Sequence, residues 1–466
     1  MKWVFWGSLA LAVSLSLLAW ATRPSEHFEG VAQLVWATDD NPARQEQIEL
    51  FKAWHLQHYG EKIDIRTDPS IYMSEDKIVV QALAGVGPDL FDYFGHTTLE
   101  SYVKAGIIVD VTDVARARGF TPEQVWEGVR PSFVYGGREY GFPDNTCNYA
   151  LIYKKDFFDK AGLRYPSGDM TWDDFMKIAG KLSGKLPNGQ RQFAIMNIDT
   201  KSMMYSNGAQ LFTPHGTRCI LDSPQAIQAL QFAYDLSHTY HYLPTAGDLA
   251  SQASAGGWGG GTANSFTTPF YAMRMGGRYE FIAWQRDTEA LMARGKPAPY
   301  HLGVSPMPRF KIPYGGVGSR CTGINRNSKN IKYALRFLEF LSSEAFNREV
   351  NRGFDALASV KQYCDGPTGI ADGPPPLPGL EAANDPVWKE IMAYGHEGET
   401  SPFILSAKCD QYFNDMWGLV DAGQLSPAEG LHKFTRQVNA KIQLNISRDS
   451  QLRALYTQCS AAEGKP

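Results

Sequence analysis

After residue 30, the chain alternates short β-rich runs with amphipathic helical patterns. The runs cover residues 34–38, 63–67 and 89–94, and the first helical pattern begins where Asn41 precedes Pro42, a pair typical of a helix start. Three strands joined in succession through helices need parallel crossovers, because a tight turn cannot connect parallel neighbours. The order therefore predicts layers of α/β structure and excludes a β-sandwich or a helical bundle.

The same alternation continues through the rest of the chain, and no internal repeat interrupts it. With 466 residues, the chain is long enough for two or three domains. The further predicted elements are a strand at 150–153, helices at 172–182, behind Pro224 and at 331–350, and loops at 253–263 and 366–379.

One apolar run approaches membrane-spanning length, and it lies at the N-terminus. A positively charged start precedes the apolar residues 3–18, and polar residues follow the small-x-small triplet 19–21. This layout predicts a signal peptide over residues 1–21, cleaved after Ala21, and a periplasmic location. As a helix the run with its triplet would reach about 28 Å, so an uncleaved membrane anchor stays open. A single run excludes a protein with several membrane spans.

The charge balance and the cysteine spacing exclude further classes of protein. The 45 Lys and Arg residues against 49 Asp and Glu give a formal net charge of −4, too balanced for a broad nucleic-acid-binding surface. The cysteines lie too far apart for a zinc or thioredoxin-like site, and both disulfide pairing and isolated buried thiols stay open. They are Cys147, Cys219, Cys321, Cys364, Cys409 and Cys459.

No stretch carries a complete catalytic, metal or phosphate motif. The pairs His55/His58 and His238/His241 have a spacing suited to one metal ion, but no third ligand cluster accompanies them. The glycine run 256–261 lacks the Gly-Lys-Ser/Thr ending of a phosphate loop. No cofactor is therefore expected. A glycosidase that uses two of the scattered carboxylates stays an alternative.

Polar and aromatic residues collect where the first and third predicted strands end. Ligands of open α/β sheets bind outside the carboxyl ends of the strands, and a sugar needs both hydrogen-bond partners for its hydroxyls and rings for its C–H faces. These residues are therefore candidate sugar contacts, although core packing is an equal alternative for each aromatic ring. They are Trp36, Asp39 and Asp40 at the first strand, and Phe94, His96 and Thr97 at the third.

Several motifs follow one another in a fixed order. They are AGVGPD at 84–89, YGFP at 140–143, ALIYKKDFF at 150–158, TWDDF at 171–175, AMRMGG at 272–277 and GIN at 323–325. Together they resemble the extracellular solute-binding proteins, family 1, which serve carbohydrate ABC importers. The resemblance covers nearly the whole chain after the signal segment.

The resemblance implies two α/β lobes of the type II periplasmic binding protein-like fold, joined by hinge strands and closing on a ligand between them. Crossings between the lobes are expected near residues 141–145, 302–307 and 352–357. Lobe one would comprise residues 30–142 and 303–352, and lobe two residues 143–302 and 353–460.

The resemblance also implies further positions that bind the ligand. Tyr279 stands where the family commonly has a stacking Trp, and Cys147 departs from the polar group that is usual nearby. Arg320 would favour an acidic sugar bearing a carboxylate or sulfate, or would only orient Asp side chains. The implied positions are Asp144, Asn145, Asn148, Trp258, Tyr279, Arg320, Phe403 and Asp410.

On this resemblance we expect a monomeric periplasmic protein that captures a mono- or oligosaccharide. It would deliver the sugar to the permease subunits of an inner-membrane ABC importer and would catalyse no reaction. Two alternatives stay open. One is an exported glycoside hydrolase or lyase, and the other is the same fold binding a non-sugar solute such as a metal, phosphate or polyamine.

Overall fold

The computed structural model describes residues 31–252, 266–365, 369–371, 373 and 375–464. The predicted signal peptide and Trp258, in the glycine-dense loop, lie outside these ranges. Across the described residues, no helix has both the length and the apolar character needed to cross a membrane.

A six-stranded sheet contains the β-rich runs predicted at the start of the chain. Its strands are β1 (Ala32–Ala37), β2 (Ile63–Thr67), β3 (Leu90–Phe94), β6 (Phe142–Asn148), β12 (Gly315–Ile324) and β13 (Gly395–His396). The order is β13-β12-β3-β1-β2, and β6 pairs with β12 beside that path. The strand β1 runs parallel to both β2 and β3, which confirms the predicted crossovers. The long strand β12 runs antiparallel to β3 and β6.

A second sheet of five strands has the order β11-β7-β10-β9-β8. Its strands are β7 (Ala150–Lys154), β8 (Gly184–Lys185), β9 (Arg191–Ile195), β10 (Tyr271–Gly276) and β11 (Leu302–Ser305). A separate two-stranded ribbon consists of β4 (Val134–Tyr135) and β5 (Arg138–Glu139).

Helices cover the sheets and form most of the C-terminal region. Those before β11 are α1 (Ala43–Tyr59), α2 (Glu75–Leu83), α3 (Gly95–Ala105), α4 (Thr112–Arg118), α5 (Lys155–Ala161), α6 (Trp172–Leu182), α7 (Thr200–Ser206), α8 (Pro224–His238), α9 (Ala246–Gln252) and α10 (Glu280–Met292). Those after it are α11 (Ile331–Leu341), α12 (Glu344–Arg352), α13 (Val387–Met392), α14 (Ser406–Asp421), α15 (Pro427–Arg448) and α16 (Ser450–Glu463).

Local capping signals place several helix ends. Thr171 forms a capping box with Asp174 at the start of α6, and the Ser223 side chain caps α8. Gly106 ends α3 with a φ of 68°, a left-handed conformation that glycine adopts without a steric penalty. The helix predicted over 331–350 is instead two helices, because the Ser343 side chain accepts a hydrogen bond from the Phe346 amide and starts α12 anew.

The chain passes between the two sheets directly after β6 and again between β11 and β12. One hydrophobic core surrounds the first sheet, and a second core joins the second sheet to α14 and α15. Strand pairing differs from the predicted lobe limits at three places. Residues 143–148 and 395–396, predicted in lobe two, pair in the first sheet. Residues 303–305, predicted in lobe one, pair in the second sheet. Strand pairing does not divide the helices and loops, so the lobe limits stay a prediction.

Arg278, just before α10, is buried without a carboxylate partner among the described residues. Its guanidinium instead donates to the carbonyl oxygens of Asn351, Ala356, Ile370 and Ala383 at 2.6–2.9 Å, and also to the Asn384 side chain. Burial lowers the pKa of Arg278 to about 10, which still leaves it charged at neutral pH. The residue therefore ties the segment behind α12 to the start of α10.

We expect Arg278→Met to lower the free energy of unfolding by at least about 3 kcal/mol, because each buried carbonyl left unpaired costs roughly 1–3 kcal/mol. Arg294→Met, at an exposed position shortly after α10, is the matched control and should change it by less than about 0.5 kcal/mol. Urea unfolding followed by tryptophan fluorescence measures both. Equal free energies of unfolding in the two variants would show that the hydrogen bonds of Arg278 do not stabilise the fold.

Candidate functional site

A cavity of about 270 Å³ lies between elements of the first sheet and elements of the second core. Its walls come from the start of α3, from α7, from the start of β12, and from the stretch between β13 and α14. The strand β3 delivers the first wall, since α3 begins directly at its carboxyl end. The lining residues used below are His96, Thr97, Tyr149, Asp199, Lys201, Ser202, Tyr205, Tyr314, His396, Glu397, Glu399 and Asp410.

Aromatic rings form one wall of the cavity. The rings of Tyr205 and Tyr314 are 5.1 Å apart between centroids and inclined by 35°, and the His396 ring lies 6.0 Å beyond Tyr314. Burial raises the pKa of both tyrosines, so their hydroxyls keep their protons at neutral pH. Neither hydroxyl has a hydrogen-bond partner within the described residues, and both remain available to a ligand.

Four carboxyl groups and a lysine supply the charge of the cavity lining. Asp199 caps α7 through the Lys201 amide and accepts a hydrogen bond from Ser202 at 2.6 Å. Asp410 accepts from the Lys201 ammonium at 2.6 Å and from the Thr97 hydroxyl at 3.1 Å. Thr97 lies on α3, directly after a strand of the first sheet, and Asp410 lies on α14, which packs in the second core, so this contact joins the two sides of the cavity.

The other two carboxyl groups of the lining, those of Glu397 and Glu399, accept hydrogen bonds from backbone amides. Glu399 accepts from the amides of Leu211 and Phe212 at 2.8 and 2.9 Å. Glu397 accepts from the His96 amide and the Ser132 hydroxyl, and burial raises its pKa to about 7. Because acceptors outnumber the single lysine, the lining suits hydroxyl groups better than an anion.

A group of buried charged side chains lies at the carboxyl ends of β1 and β3, where β6 and β12 meet them. We call it the buried charge cluster, and its members are Arg44, Arg320, Asp39, Asp92, Asp144 and Asp355. Arg44 donates to Asp39 and to Asp355, both at 2.7 Å. Arg320 lies 3.3 Å from both Asp92 and Asp144 and 3.4 Å from Asp355.

Asp355 connects this cluster to a strained stretch of backbone. Its carboxylate accepts hydrogen bonds from four side chains, those of Arg44, Gln47, Asn145 and Arg320. Its neighbours Phe354 and Ala356 have φ angles of 59° and 67°, a conformation that costs an L-residue of order 1 kcal/mol. The cluster therefore holds this backbone in place.

The Thr322 hydroxyl lies between two carboxyl groups of the cluster. The Thr322 hydroxyl lies 2.8 Å from Asp92 and 2.7 Å from Asp144, yet it has only one proton to donate. Burial raises the pKa of Asp92 to about 7, but Asp92 also accepts from the Trp36 indole and the Thr38 hydroxyl, which favours it as the ionised partner. We therefore assign the proton to Asp144, whose carboxyl group would then donate to the Thr322 oxygen. Burial, followed by the charge of Asp92, raises the pKa of Asp144 in agreement with this assignment.

The sequence profile of bacterial extracellular solute-binding proteins matches residues 42–347, more than half of the chain. The chain belongs to this family. A protein of Brucella abortus described as a binding protein is 26% identical over 187 residues, which are 39% of this chain and 44% of that protein. The chain therefore matches less than half of that relative's length.

Solved structures of solute-binding proteins share the fold over most of the chain. An ABC substrate-binding protein from Listeria monocytogenes, in complex with cycloalternan, has a TM-score of 0.72 at 20% identity, covering 89% of this chain and 99% of that one. A solute-binding protein from Thermotoga lettingae, bound with α-D-tagatose, has a TM-score of 0.70 at 21% identity, covering 88% and 100%. The chain thus has the predicted type II periplasmic binding protein-like fold.

The predicted ligand residues within the described ranges fall into three groups. The first group, His96, Thr97 and Asp410, lines the cavity. The second group belongs to the buried charge cluster or donates to it, and consists of Asp39, Asp144, Asn145 and Arg320. Arg320 therefore orients Asp side chains, as the alternative interpretation held, and does not line the cavity for a carboxylate or sulfate.

The third group lies apart from the cavity. Trp36 is fully buried with its ring 4.9 Å from Phe337, and Phe403 is fully buried against Tyr456, so a ligand contact by either ring would require the core to open. Asn148 donates to the Trp388 carbonyl. Tyr279 is half-buried beside α10, and Asp40 and Phe94 are exposed.

The sequence interpretation missed most of the cavity lining. The missed residues are Tyr149, Asp199, Lys201, Tyr205, Tyr314, His396, Glu397 and Glu399. Asp199 carried a usable signal, because an Asp before a Thr-initiated helix is a typical N-cap at a strand-to-helix turn. The six cysteines are free, and the described residues contain no group of three or more potential metal ligands.

The assignment of the proton to Asp144 predicts different stabilities for two Asp→Asn variants of the cluster. Asp355→Asn should lower the free energy of unfolding by about 3–5 kcal/mol, because it removes the carboxylate between two buried arginines. Asp144→Asn replaces a group that is already neutral and should cost less than about 1.5 kcal/mol. Urea unfolding at neutral pH compares them, and an equal loss in both variants would overturn the assignment.

The same assignment predicts a pH dependence. A carboxyl group whose pKa is raised in the folded state binds its proton more tightly there, so its contribution to stability is largest at low pH and falls as pH rises through the folded-state pKa. Relative to Asp144→Asn, the wild-type protein should therefore lose stability as pH rises from about 4, the ordinary pKa of an aspartate, to neutral pH. Unfolding curves across this pH range measure the difference in stability between the two proteins. A wild-type protein that gains stability relative to the variant as pH rises would contradict the assignment.

Proposed function

We propose that this protein is a periplasmic solute-binding protein that captures a carbohydrate between its lobes and delivers it to the permease subunits of an inner-membrane ABC importer. It would act as a monomer, without a cofactor and without catalysing a reaction. Export by the predicted signal segment is part of this proposal.

The cavity between the lobes carries the proposal. Its aromatic wall contains the rings of Tyr205 and Tyr314, which suit the C–H surface of a sugar ring, and neither hydroxyl has a hydrogen-bond partner among the described residues. Acceptor groups such as Asp199 and Asp410 line the same space and suit sugar hydroxyls. A mixed lining of rings and hydrogen-bonding groups is typical of a site for a neutral, polyhydroxylated ligand.

Residues of both lobes would contact the ligand. Thr97 and His96 come from the first lobe, whereas Lys201 and Tyr205 come from the second. A ligand that contacts both lobes favours the closed arrangement by its difference in affinity for the closed and open states. The closed surface would then signal occupancy to the importer.

The charge of the lining favours a neutral sugar over an acidic one. Lys201 already pairs with Asp410, and Arg320 is engaged in the buried charge cluster. An anionic ligand would therefore meet carboxylates without a free arginine fork to balance it. We propose that carboxylated, sulfated and phosphorylated solutes bind more weakly than neutral sugars.

A thermal-shift screen tests the class of ligand. At 100 times its dissociation constant, a ligand that binds only the folded state stabilises it by about 2.7 kcal/mol. Neutral sugars should raise the melting temperature, whereas uronic acids, phosphate esters, polyamines and divalent metals should not. A shift with one of these alone would refute the sugar proposal, and turnover of a polysaccharide by the purified protein would favour the hydrolase or lyase.

Substitution of the aromatic wall tests the place of binding. Tyr205→Ala and Tyr314→Ala each remove a ring and a hydroxyl, worth roughly 1–3 kcal/mol together, so the dissociation constant should rise about 5- to 150-fold. Tyr240→Ala, an exposed tyrosine on the second lobe outside this cavity, is the matched control. Calorimetric titration with the best sugar measures the effect. Unchanged affinity in both wall variants would show that the sugar binds elsewhere.

A further inference from the structure

Two helices of different lobes touch directly at one wall of the cavity. The helix α3 follows a strand of the first sheet, whereas α14 packs in the core of the second lobe. The Thr97 hydroxyl of α3 donates to Asp410 of α14 at 3.1 Å, and the Ser406 amide at the start of α14 donates to Glu100 of α3 at 2.8 Å. We call this pair of hydrogen bonds the α3–α14 contact.

The α3–α14 contact is built from side chains held in place on both helices. Glu100 is only 3% exposed, and its second oxygen accepts from Lys104 at 2.7 Å. The residue before α14 is Leu405, which cannot cap the helix, so Glu100 of the other lobe supplies the missing cap at the positive end of the helix dipole. Asp410 is fixed by Lys201, whose ammonium lies 4.7 Å from the centre of the Phe413 ring.

The contact bounds the space available to a ligand. Thr97, Ser406 and Asp410 all line the cavity, so the two helices close this wall without a ligand between them. The volume of about 270 Å³ lies just below the roughly 300–1,000 Å³ that is typical of small-molecule sites. A long carbohydrate chain that ran through the cleft would have to separate α3 from α14.

Building on the proposed function, we infer that the α3–α14 contact limits the ligand to one or two sugar rings. Glu100 acts as a positioning residue in this limit, since it holds the start of α14 but does not itself line the cavity. Length selection then resides in a contact between the lobes and not in the residues that touch the sugar.

A length series tests the inference with the wild-type protein. The best neutral sugar from a thermal-shift screen is compared with its own tri-, tetra- and hexasaccharide homologues by calorimetric titration. The mono- or disaccharide should bind at least tenfold more tightly than the tetrasaccharide. If all lengths bind equally, the length limit is refuted while sugar binding stands. If no sugar of any length binds, the proposed function fails, and the inference fails with it.

Variants of Glu100 test the cause of the limit. Glu100→Ala removes the cap from the other lobe, so the preference for the short sugar over the tetrasaccharide should fall at least tenfold, with the affinity for the short sugar changed less than threefold. Glu100→Gln keeps an oxygen that can accept from the Ser406 amide and should retain the wild-type preference for the short sugar. Lys104→Ala removes the other partner of Glu100 and should also retain this preference.

Folding of these variants is checked separately by circular dichroism and melting temperature. An unchanged preference in folded Glu100→Ala would overturn the role of the contact. If Glu100→Ala does not fold, the comparison of Glu100→Gln with Lys104→Ala decides, because the inference requires both to keep the wild-type preference. The loss of that preference in Lys104→Ala would overturn it.

Discussion

Three buried arginines hold the backbone around Asp355. Arg44 of α1 and Arg320 of β12 bind the Asp355 carboxylate, while Arg278 donates to the neighbouring carbonyls of Asn351 and Ala356. The stretch between them contains two non-glycine residues in the left-handed region, a conformation that persists only where surrounding contacts enforce it. Charge-assisted hydrogen bonds in a buried setting are strong enough to do so.

The strand β12 connects this cluster to the cavity. Gly316 and Val317, near its start, line the cavity, whereas Arg320 and Thr322 lie farther along in the buried charge cluster. The same strand pairs with β3 and β6, and β6 carries Asp144 and Asn145 into the cluster. A displacement of β12 at the cavity would therefore act on the buried charge cluster as well.

The sequence predicted the architecture well because local signals were strong. The β-rich runs before residue 95 have the predicted parallel order. As predicted, Thr171 precedes the start of α6 and Gly106 ends α3. The site was harder to predict. Two of the residues predicted from the strand ends, His96 and Thr97, line the cavity, whereas Trp36, predicted in the same way, is buried in the core. Alternation along a strand does not say which face meets the ligand. The remaining wall comes from α7 and from residues 396–410, which only the folded chain brings together.

The central claim is that a carbohydrate lies between the lobes and is held by both. A crystal structure of the protein with the sugar that binds most tightly tests it directly. The account predicts density for the sugar against the rings of Tyr205 and Tyr314, with a hydrogen bond to at least one residue of each lobe, such as Thr97 and Asp410. Sugar density outside this cavity, or contacts to one lobe alone, would contradict the account.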